Sequence, residues 1–249
     1  MEIKYGDKFK LGNHYLINGN CQDPEIVKKL FGQEKIKLII LDPPYGIQVA
    51  EAKNSFRAGK TKYKDILNDG FQSDEDYKNF TVKYLEAIEP YLSTKNAAYI
   101  FNSDKMIFAL REGMLVAGFK FSELLVWVKT HSVIGRMDYL PQHELIAYGW
   151  YGTHEFLKSK DKSVLVYPKP NKSKLHPTMK PIGLLRNLIL NSSRVNDIVF
   201  DGFMGSGSTI LAAEQTKRKC LGIELDPDYC QVAIDRFEKL TGIKVEKVD

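Results

Sequence analysis

Cysteine is scarce in this 249-residue chain, which has only Cys21, Cys220 and Cys230. Three is an odd number and no C-x-x-C spacing occurs, so neither a disulfide framework nor a zinc site is indicated, and a reduced compartment is expected. The five histidines show no ligand spacing, and no metal is expected. No apolar run approaches the ~18 residues that cross a bilayer, and the polar stretch 1–10 has no apolar signal core. The expected location is therefore cytoplasmic, with no membrane partner. Internal repeats and low-complexity tracts are absent from the sequence. What is present, 43% hydrophobic and 27% charged residues, is ample for one core, and a single domain over 1–249 is expected.

The formal net charge is only +5, but its placement is uneven. Stretch 46–66 carries Lys53, Arg57, Lys60, Lys62 and Lys64 against two acids. Stretch 152–180 carries Lys158, Lys160, Lys162, Lys169, Lys172, Lys174 and Lys180, again against two acids. The rest of the chain is net acidic. Positive charge gathered into two aperiodic segments suits a polyanion, through phosphate contacts and counterion release. Loop 46–66 and Lys169, Lys172 and Lys174 are the candidate elements for such a polyanion, and two solvated surface loops are the alternative.

Short apolar runs alternate with helical patterns, which predicts an α/β fold with a mostly parallel sheet covered on both faces. Strands are expected at 14–18, 36–41, 96–101, 121–128, 144–148, 198–200 and 220–225. Asp23 followed by Pro24 opens a helix over 24–31, and Asp226 followed by Pro227 opens the last one. Ser73 caps a helix running to Pro90, another ends near Gly118, and two more cover 182–190 and 208–216. Residues 149–175 have no period and read as a surface insertion.

Two motifs follow apolar runs and so fall at strand carboxyl ends, where open α/β sheets bind ligands. Asp42-Pro43-Pro44-Tyr45 ends the run 36–41. Its prolines stiffen the turn and leave carbonyls without local N–H partners. The Asp42 carboxylate and the Pro43 carbonyl can then accept both N–H bonds of one exocyclic amino group. That biases the nitrogen toward a tetrahedral shape and localises its lone pair for attack on an electrophilic methyl. Pro44 completes the turn, and Tyr45 offers a flat face to an extruded base. The second motif, Asp201-Gly202-Phe203-Met204-Gly205-Ser206-Gly207-Ser208, joins a strand to a helix N-terminus. Gly202 to Thr209 fits the phosphate loop G-x-x-x-x-G-K-[ST] except at Ser208, where the lysine is missing, so an ATPase is disfavoured. A carboxylate is the better anion there, and Asp201 suits an ammonium. Carboxylate plus ammonium is the methionine end of S-adenosylmethionine. Glu224 ends the next strand and suits ribose hydroxyls.

In this order the motifs resemble the S-adenosylmethionine-dependent amino-methyltransferases of DNA, in the permuted β class where the catalytic motif precedes the cofactor loop. His176-Pro177-Thr178-Met179-Lys180-Pro181 is similar to the family's H-P-T-x-K-P element, and Asn18-Gly19-Asn20-Cys21 to its adenine-facing element. Tyr139-Leu140-Pro141-Gln142-His143-Glu144 resembles the segment entering the last strand pair. The likeness covers about residues 14–240. It implies a Rossmann-like methyltransferase fold with a seven-stranded sheet, strand three first in the chain, then four to seven, then one and two. It implies S-adenosylmethionine held by Asn20, Cys21, Thr178, Lys180, Asp201, Gly202, Phe203, Gly205, Ser206, Gly207, Ser208 and Glu224, with Asp42, Pro43, Pro44 and Tyr45 at the chemistry. Asn20 stands where the family usually has Asp, so its bond to the cofactor adenine is neutral and weaker. Target recognition is expected in the short insertion 149–175, shared with loop 46–66 or completed by a homodimer. The expected activity is adenine-N6 methylation of double-stranded DNA, because Asp heads the motif where cytosine-N4 enzymes more often have Ser. The alternatives are cytosine-N4 methylation, a catalytically inactive DNA-binding relative, and methylation of RNA or a glutamine amide.

Overall fold

A computed structural model describes residues 2–45, 70, 73–132, 138–158, 161–168 and 179–248. The basic stretch 46–66, with Lys53, Arg57, Lys60, Lys62 and Lys64, lies outside the described residues, as do Lys169, Lys172, Lys174, His176, Pro177 and Thr178.

Ten strands among the described residues form one sheet. In chain order they are β1 (Lys8–Leu11), β2 (His14–Asn18), β3 (Ile36–Leu41), β4 (Leu92–Asn102), β5 (Phe119–Val128), β6 (His143–Tyr151), β7 (Val164–Val166), β8 (Ile198–Asp201), β9 (Lys219–Glu224) and β10 (Glu246–Val248). Their spatial order is β10-β1-β2-β9-β8-β3-β4-β6-β5-β7. The seven central strands, β2 through β5 in that order, are the expected set, and β6 is antiparallel to both β4 and β5. Three short strands that the sequence pattern does not announce extend the edges. One of them, β7, pairs with β5 inside the stretch expected to be irregular, whose first residues also complete β6.

The helices are α1 (Pro24–Phe31), α2 (Asp74–Ile88), α3 (Ile107–Val116), α4 (Ile182–Ser192), α5 (Ser208–Gln215) and α6 (Pro227–Thr241). Their starts follow from local chemistry. The Asp23 carboxylate accepts the Glu25 amide, Asp226 accepts that of Asp228, and Ser73 accepts that of Asp76. Each cap satisfies an amide that has no partner within the helix, worth about 1 kcal/mol. Strand alternation then divides the core. Leu38 and Ile40 of β3 face α4, α5 and α6 with Leu184, Leu188, Ile210 and Phe237. Ile39 and Leu41 face α1, α2 and α3 with Val27, Tyr84, Leu85 and Leu110. A strand buried on both faces reads as a continuous apolar run, which is why 36–41 carries no polar alternation beyond Lys37.

The chain order places the site. From β8 the parallel strands proceed through β9 to β2 on one side, while β3 proceeds to β4 on the other. The sheet therefore changes direction between β8 and β3, and the crevice beyond their carboxyl ends is where such folds bind ligands. Asp42 follows β3 and Asp201 ends β8, so both acids stand at that crevice.

Candidate active site

The glycine loop is held from three sides. Asp201 accepts the Phe203 amide at 3.0 Å and the Thr209 hydroxyl at 2.6 Å. Glu224, at the end of β9, accepts the Gly205 amide at 2.6 Å and the Asp226 amide at 2.8 Å. Arg236 of α6 donates to the Ser206 carbonyl, and to the Ser206 and Ser208 hydroxyls at 2.8 and 3.4 Å. Gly207 takes φ +81 at the start of α5, and a Cβ there would stand 2.8 Å from that of Ala233. Glycine is required at this position on both counts.

The N-terminal element joins the same edge. Asn18 donates to the Glu224 and Leu225 carbonyls at 2.9 and 3.0 Å, and the Gly19 amide to Glu224 at 2.9 Å. Cys21 is buried, and its Cβ lies near Gly202. Asn20 accepts the Gln22 amide at 3.0 Å. Phe203 packs its ring on Tyr84 and Phe80 of α2, with centroids 5.3 and 5.9 Å away. The expected cofactor residues Asn20, Cys21, Asp201, Gly202, Phe203, Gly205, Ser206, Gly207, Ser208 and Glu224 thus surround one strand edge.

This donor set suits S-adenosylmethionine. Burial pushes the Asp201 carboxyl up to about 7, partly offset by its hydrogen bonds from Thr209 and Phe203 and reinforced by the charges of Asp42 and Glu224. Burial likewise brings Glu224 up to about 7, against the amides that it accepts. Among the described residues neither acid meets a lysine or arginine. A cationic ammonium beside Asp201 would supply a counter-charge.

On the β3 side, Asp42 meets a group of buried charges. Lys180, just before α4, reaches Asp42 Oδ2 at 2.5 Å and Glu144 Oε2 at 3.2 Å. Lys129 holds Glu144 Oε1 at 2.8 Å. The Tyr45 hydroxyl donates to Asp42 Oδ1 at 2.9 Å and lies 3.3 Å from Glu144. Burial raises the Asp42 carboxyl; Lys180 pulls it back, Glu144 pushes it up again, and the net direction is upward. Burial would raise Glu144 too, but Lys180 and Lys129 prevail and hold it down to about 2. Burial would discharge Lys180, yet Asp42 and Glu144 keep its ammonium charged.

Lys180, expected at the cofactor carboxylate, has Asp42 and Glu144 as its partners in this structure. Tyr45, expected to offer a flat ring, is also tied through its hydroxyl to Asp42. Sequence reasoning gave no role to Glu144, Lys129, Thr209 or Arg236. Glu144 closes the quoted segment 139–144 and Thr209 the glycine-loop comparison, while Lys129 shows only as a charge at the margin of an apolar run. Pro43 is buried in the turn, and Trp127 and Trp150 are packing residues, 1% and 8% exposed. A separate cavity of about 400 Å³, lined by Lys8, Tyr15, Lys29, Glu34 and Lys219, includes neither motif.

A family model described as DNA methylase, that of the N6/N4 methyltransferases, matches residues 36–235. The chain belongs to this family. It is a DNA methyltransferase with the Rossmann-like methyltransferase fold, and S-adenosylmethionine is its cofactor. Similar relatives include the Type II methyltransferase M.HinfI of Haemophilus influenzae, 25% identical over 250 residues, covering 90% of this chain and 68% of the relative. The Type II methyltransferase M2.LlaDCHI of Lactococcus lactis subsp. cremoris is 26% identical over 226 residues, covering 83% of each. Among solved structures, the M1.HpyAVI complex with S-adenosylmethionine is 26% identical with a TM-score of 0.65, covering 89% of this chain and 98% of that one. The PvuII cytosine-N4-specific DNA methyltransferase shares the fold at a TM-score of 0.74 and 18% identity, over 96% of this chain and 94% of that one. No cluster of three or more metal-ligating side chains occurs among the described residues, and no helix there is long and apolar enough to cross a membrane.

Proposed function

We propose that this DNA methylase modifies the exocyclic N6 amino group of an adenine flipped out of a specific site in double-stranded DNA. The observation that carries the reading is the placement of Asp42 beside Asp201, on the two sides of the crevice between β3 and β8. An amino group held at Asp42 is thereby brought next to the cofactor loop. The cofactor supplies a sulfonium methyl to this crevice. The protein's part is positioning. Asp42 and the Pro43 carbonyl accept the two amino hydrogens, and Tyr45 offers its ring to the base. Asp201 faces the cofactor ammonium, Glu224 its ribose, and Asn20 its adenine, while Gly202, Phe203, Gly205, Ser206, Gly207 and Ser208 shape the bed. Thr178 is proposed for the methionine carboxylate.

Adenine is favoured over cytosine because an aspartate heads the motif. Lys53, Arg57, Lys60, Lys62 and Lys64, with Lys169, Lys172 and Lys174, are proposed to hold phosphates. Two relatives are Type II methyltransferases, which supports a sequence-specific modification enzyme acting in the cytoplasm, where its DNA is, with a homodimer as one way to cover the target. The test is nucleoside analysis after methyl transfer to duplex DNA of mixed sequence. N6-methyladenine is the expected product, and N4-methylcytosine overturns the choice of base.

A further inference from the structure

Both oxygens of Asp42 are already engaged. Tyr45 donates to Oδ1 at 2.9 Å, and the Lys180 ammonium sits on Oδ2 at 2.5 Å. Each oxygen keeps a second lone pair, but an incoming amino group competes with these donors for Asp42. A neutral amino hydrogen is held best by an oxygen that no ammonium occupies. Both donors have Glu144 Oε2 as a second acceptor, Tyr45 at 3.3 Å and Lys180 at 3.2 Å, but Lys180 is the one whose charge occupies Asp42. The Phe101 ring lies 5.0 Å from its ammonium. Glu144 is itself fixed, because Lys129, 5% exposed, holds its other oxygen at 2.8 Å. Lys129 is anchored in turn. Its amide donates to the Gln142 carbonyl at 2.8 Å, and the Gln142 side chain donates to its carbonyl at 3.0 Å. The arrangement is a lysine between two carboxylates, one at the chemistry and one braced behind it.

Resting on the reading of Asp42 as the acceptor of the reacting amino group, we propose that Lys180 is a removable counter-ion and Glu144 its alternative anchor. Before the base arrives, Lys180 neutralises Asp42. When the amino group enters, Lys180 swings toward Glu144, and Asp42 Oδ2 is released without leaving a buried ammonium unpaired. Without Glu144 that movement strands a buried charge, which costs far more than exchanging one charged partner for another. Glu144 therefore acts through Lys180 and is a positioning residue. It matters to base capture and not to cofactor binding, because Asp201, Glu224 and Arg236 lie on the other side of the crevice.

The pH profile gives a reading that a purely structural role does not move. The charged and titratable groups facing Asp42 are Lys180, Glu144, Tyr45 and Asp201. The Glu144 charge raises the Asp42 carboxyl, and the Lys180 charge lowers it. Removing the Glu144 charge takes away the first effect and leaves Lys180 committed to Asp42, which strengthens the second. Both changes lower the pH at which Asp42 ionises.

The experiment compares wild-type protein, Glu144→Gln, Lys180→Met and the double variant. It measures methyl transfer to duplex DNA, cofactor affinity, and the acid limb of kcat/KM for DNA at saturating S-adenosylmethionine, where the ionisation of Asp201 and Glu224 no longer shapes the profile. In Glu144→Gln, kcat/KM for DNA is expected to fall at least about tenfold with cofactor affinity within about twofold, and the acid limb to move to lower pH. In the Lys180→Met background the same substitution is expected to change kcat/KM less than about twofold, because no lysine remains to be parked. An equal loss in both backgrounds, or an acid limb that stays in place, overturns the proposal. The limb is read on Glu144→Gln alone and so does not depend on whether Lys180→Met folds. Wild-type protein that transfers no methyl group to DNA bases overturns the underlying reading and this inference with it. That failure is recognised before any substitution is made.

Discussion

Asp201 is a buried carboxyl and Asp42 a half-buried one, both raised above their ordinary range, and their different neighbours are the basis for proposing different work for them. Asp42 shares its oxygens with Tyr45 and Lys180, all donors that a substrate amino group can imitate. Replacing it with alanine should reduce methyl transfer by on the order of 10²–10³ while leaving cofactor affinity largely unchanged, since it removes an acceptor at the reacting nitrogen only. Single-turnover transfer and a cofactor titration check the two halves separately, and transfer at the wild-type rate would contradict the mechanism. Asp201 has no cation among the described residues and is pushed up to about 7. Its protonated form, populated below that pH, cannot attract an ammonium, whereas its ionised form above it does. Cofactor affinity should therefore rise as pH increases through about 7, with Glu224 adding in the same direction. Asp201→Asn should weaken binding and flatten that rise. Calorimetry across this range is the check, and a flat wild-type profile would contradict the assignment.

Among the elements, the loop before α5 depends on a residue with no side chain. Gly207→Ala combines an unfavourable left-handed backbone with a methyl group driven toward Ala233, for a cost of about 1–3 kcal/mol. The substitution should lower the melting temperature and cofactor affinity together; unchanged affinity would show that this close approach does not set the loop. The elements that position the site are those whose signals are local. Asp23 with Pro24 and Asp226 with Pro227 announce α1 and α6, and apolar runs announce β3 and β8, so Asp42, Asp201 and Glu224 were legible as strand-end acids. The edge strands β1, β7 and β10 were not. Lys8–Leu11 and Glu246–Val248 are short and rich in lysine, and they are strands because they pair with each other and with β2. Val164–Val166 becomes a strand only against β5. Glu144 and Lys129 were missed for a related reason. They sit at the facing ends of β6 and β5, and nothing in local spacing says that Lys180 comes between Glu144 and Asp42. Arg236 reaches back 30 residues to Ser206, a contact that helix periodicity cannot encode.

At the scale of the molecule, an α/β sheet with its switch point between β8 and β3 brings two distant segments of sequence to one crevice. The turn proposed for the chemistry is near the start of the chain and the loop proposed for the cofactor near its end, so the permuted order leaves the spatial arrangement intact. The basic residues of 46–66 follow directly from the catalytic turn in sequence, which is the basis for assigning them to DNA. Neutralising Lys60, Lys62 and Lys64 together should weaken DNA binding and reduce the slope of log K against log salt by about two to three. An unchanged slope would return that stretch to a solvated surface. The central claim is methylation of adenine in DNA, and the most direct measurement is transfer of a labelled methyl group from S-adenosylmethionine to duplex DNA of mixed sequence, followed by digestion to nucleosides. Label in N6-methyladenine is the predicted result. Label in N4-methylcytosine would contradict the choice of base while keeping the site, and DNA left unlabelled by cofactor-bound protein would contradict the account as a whole.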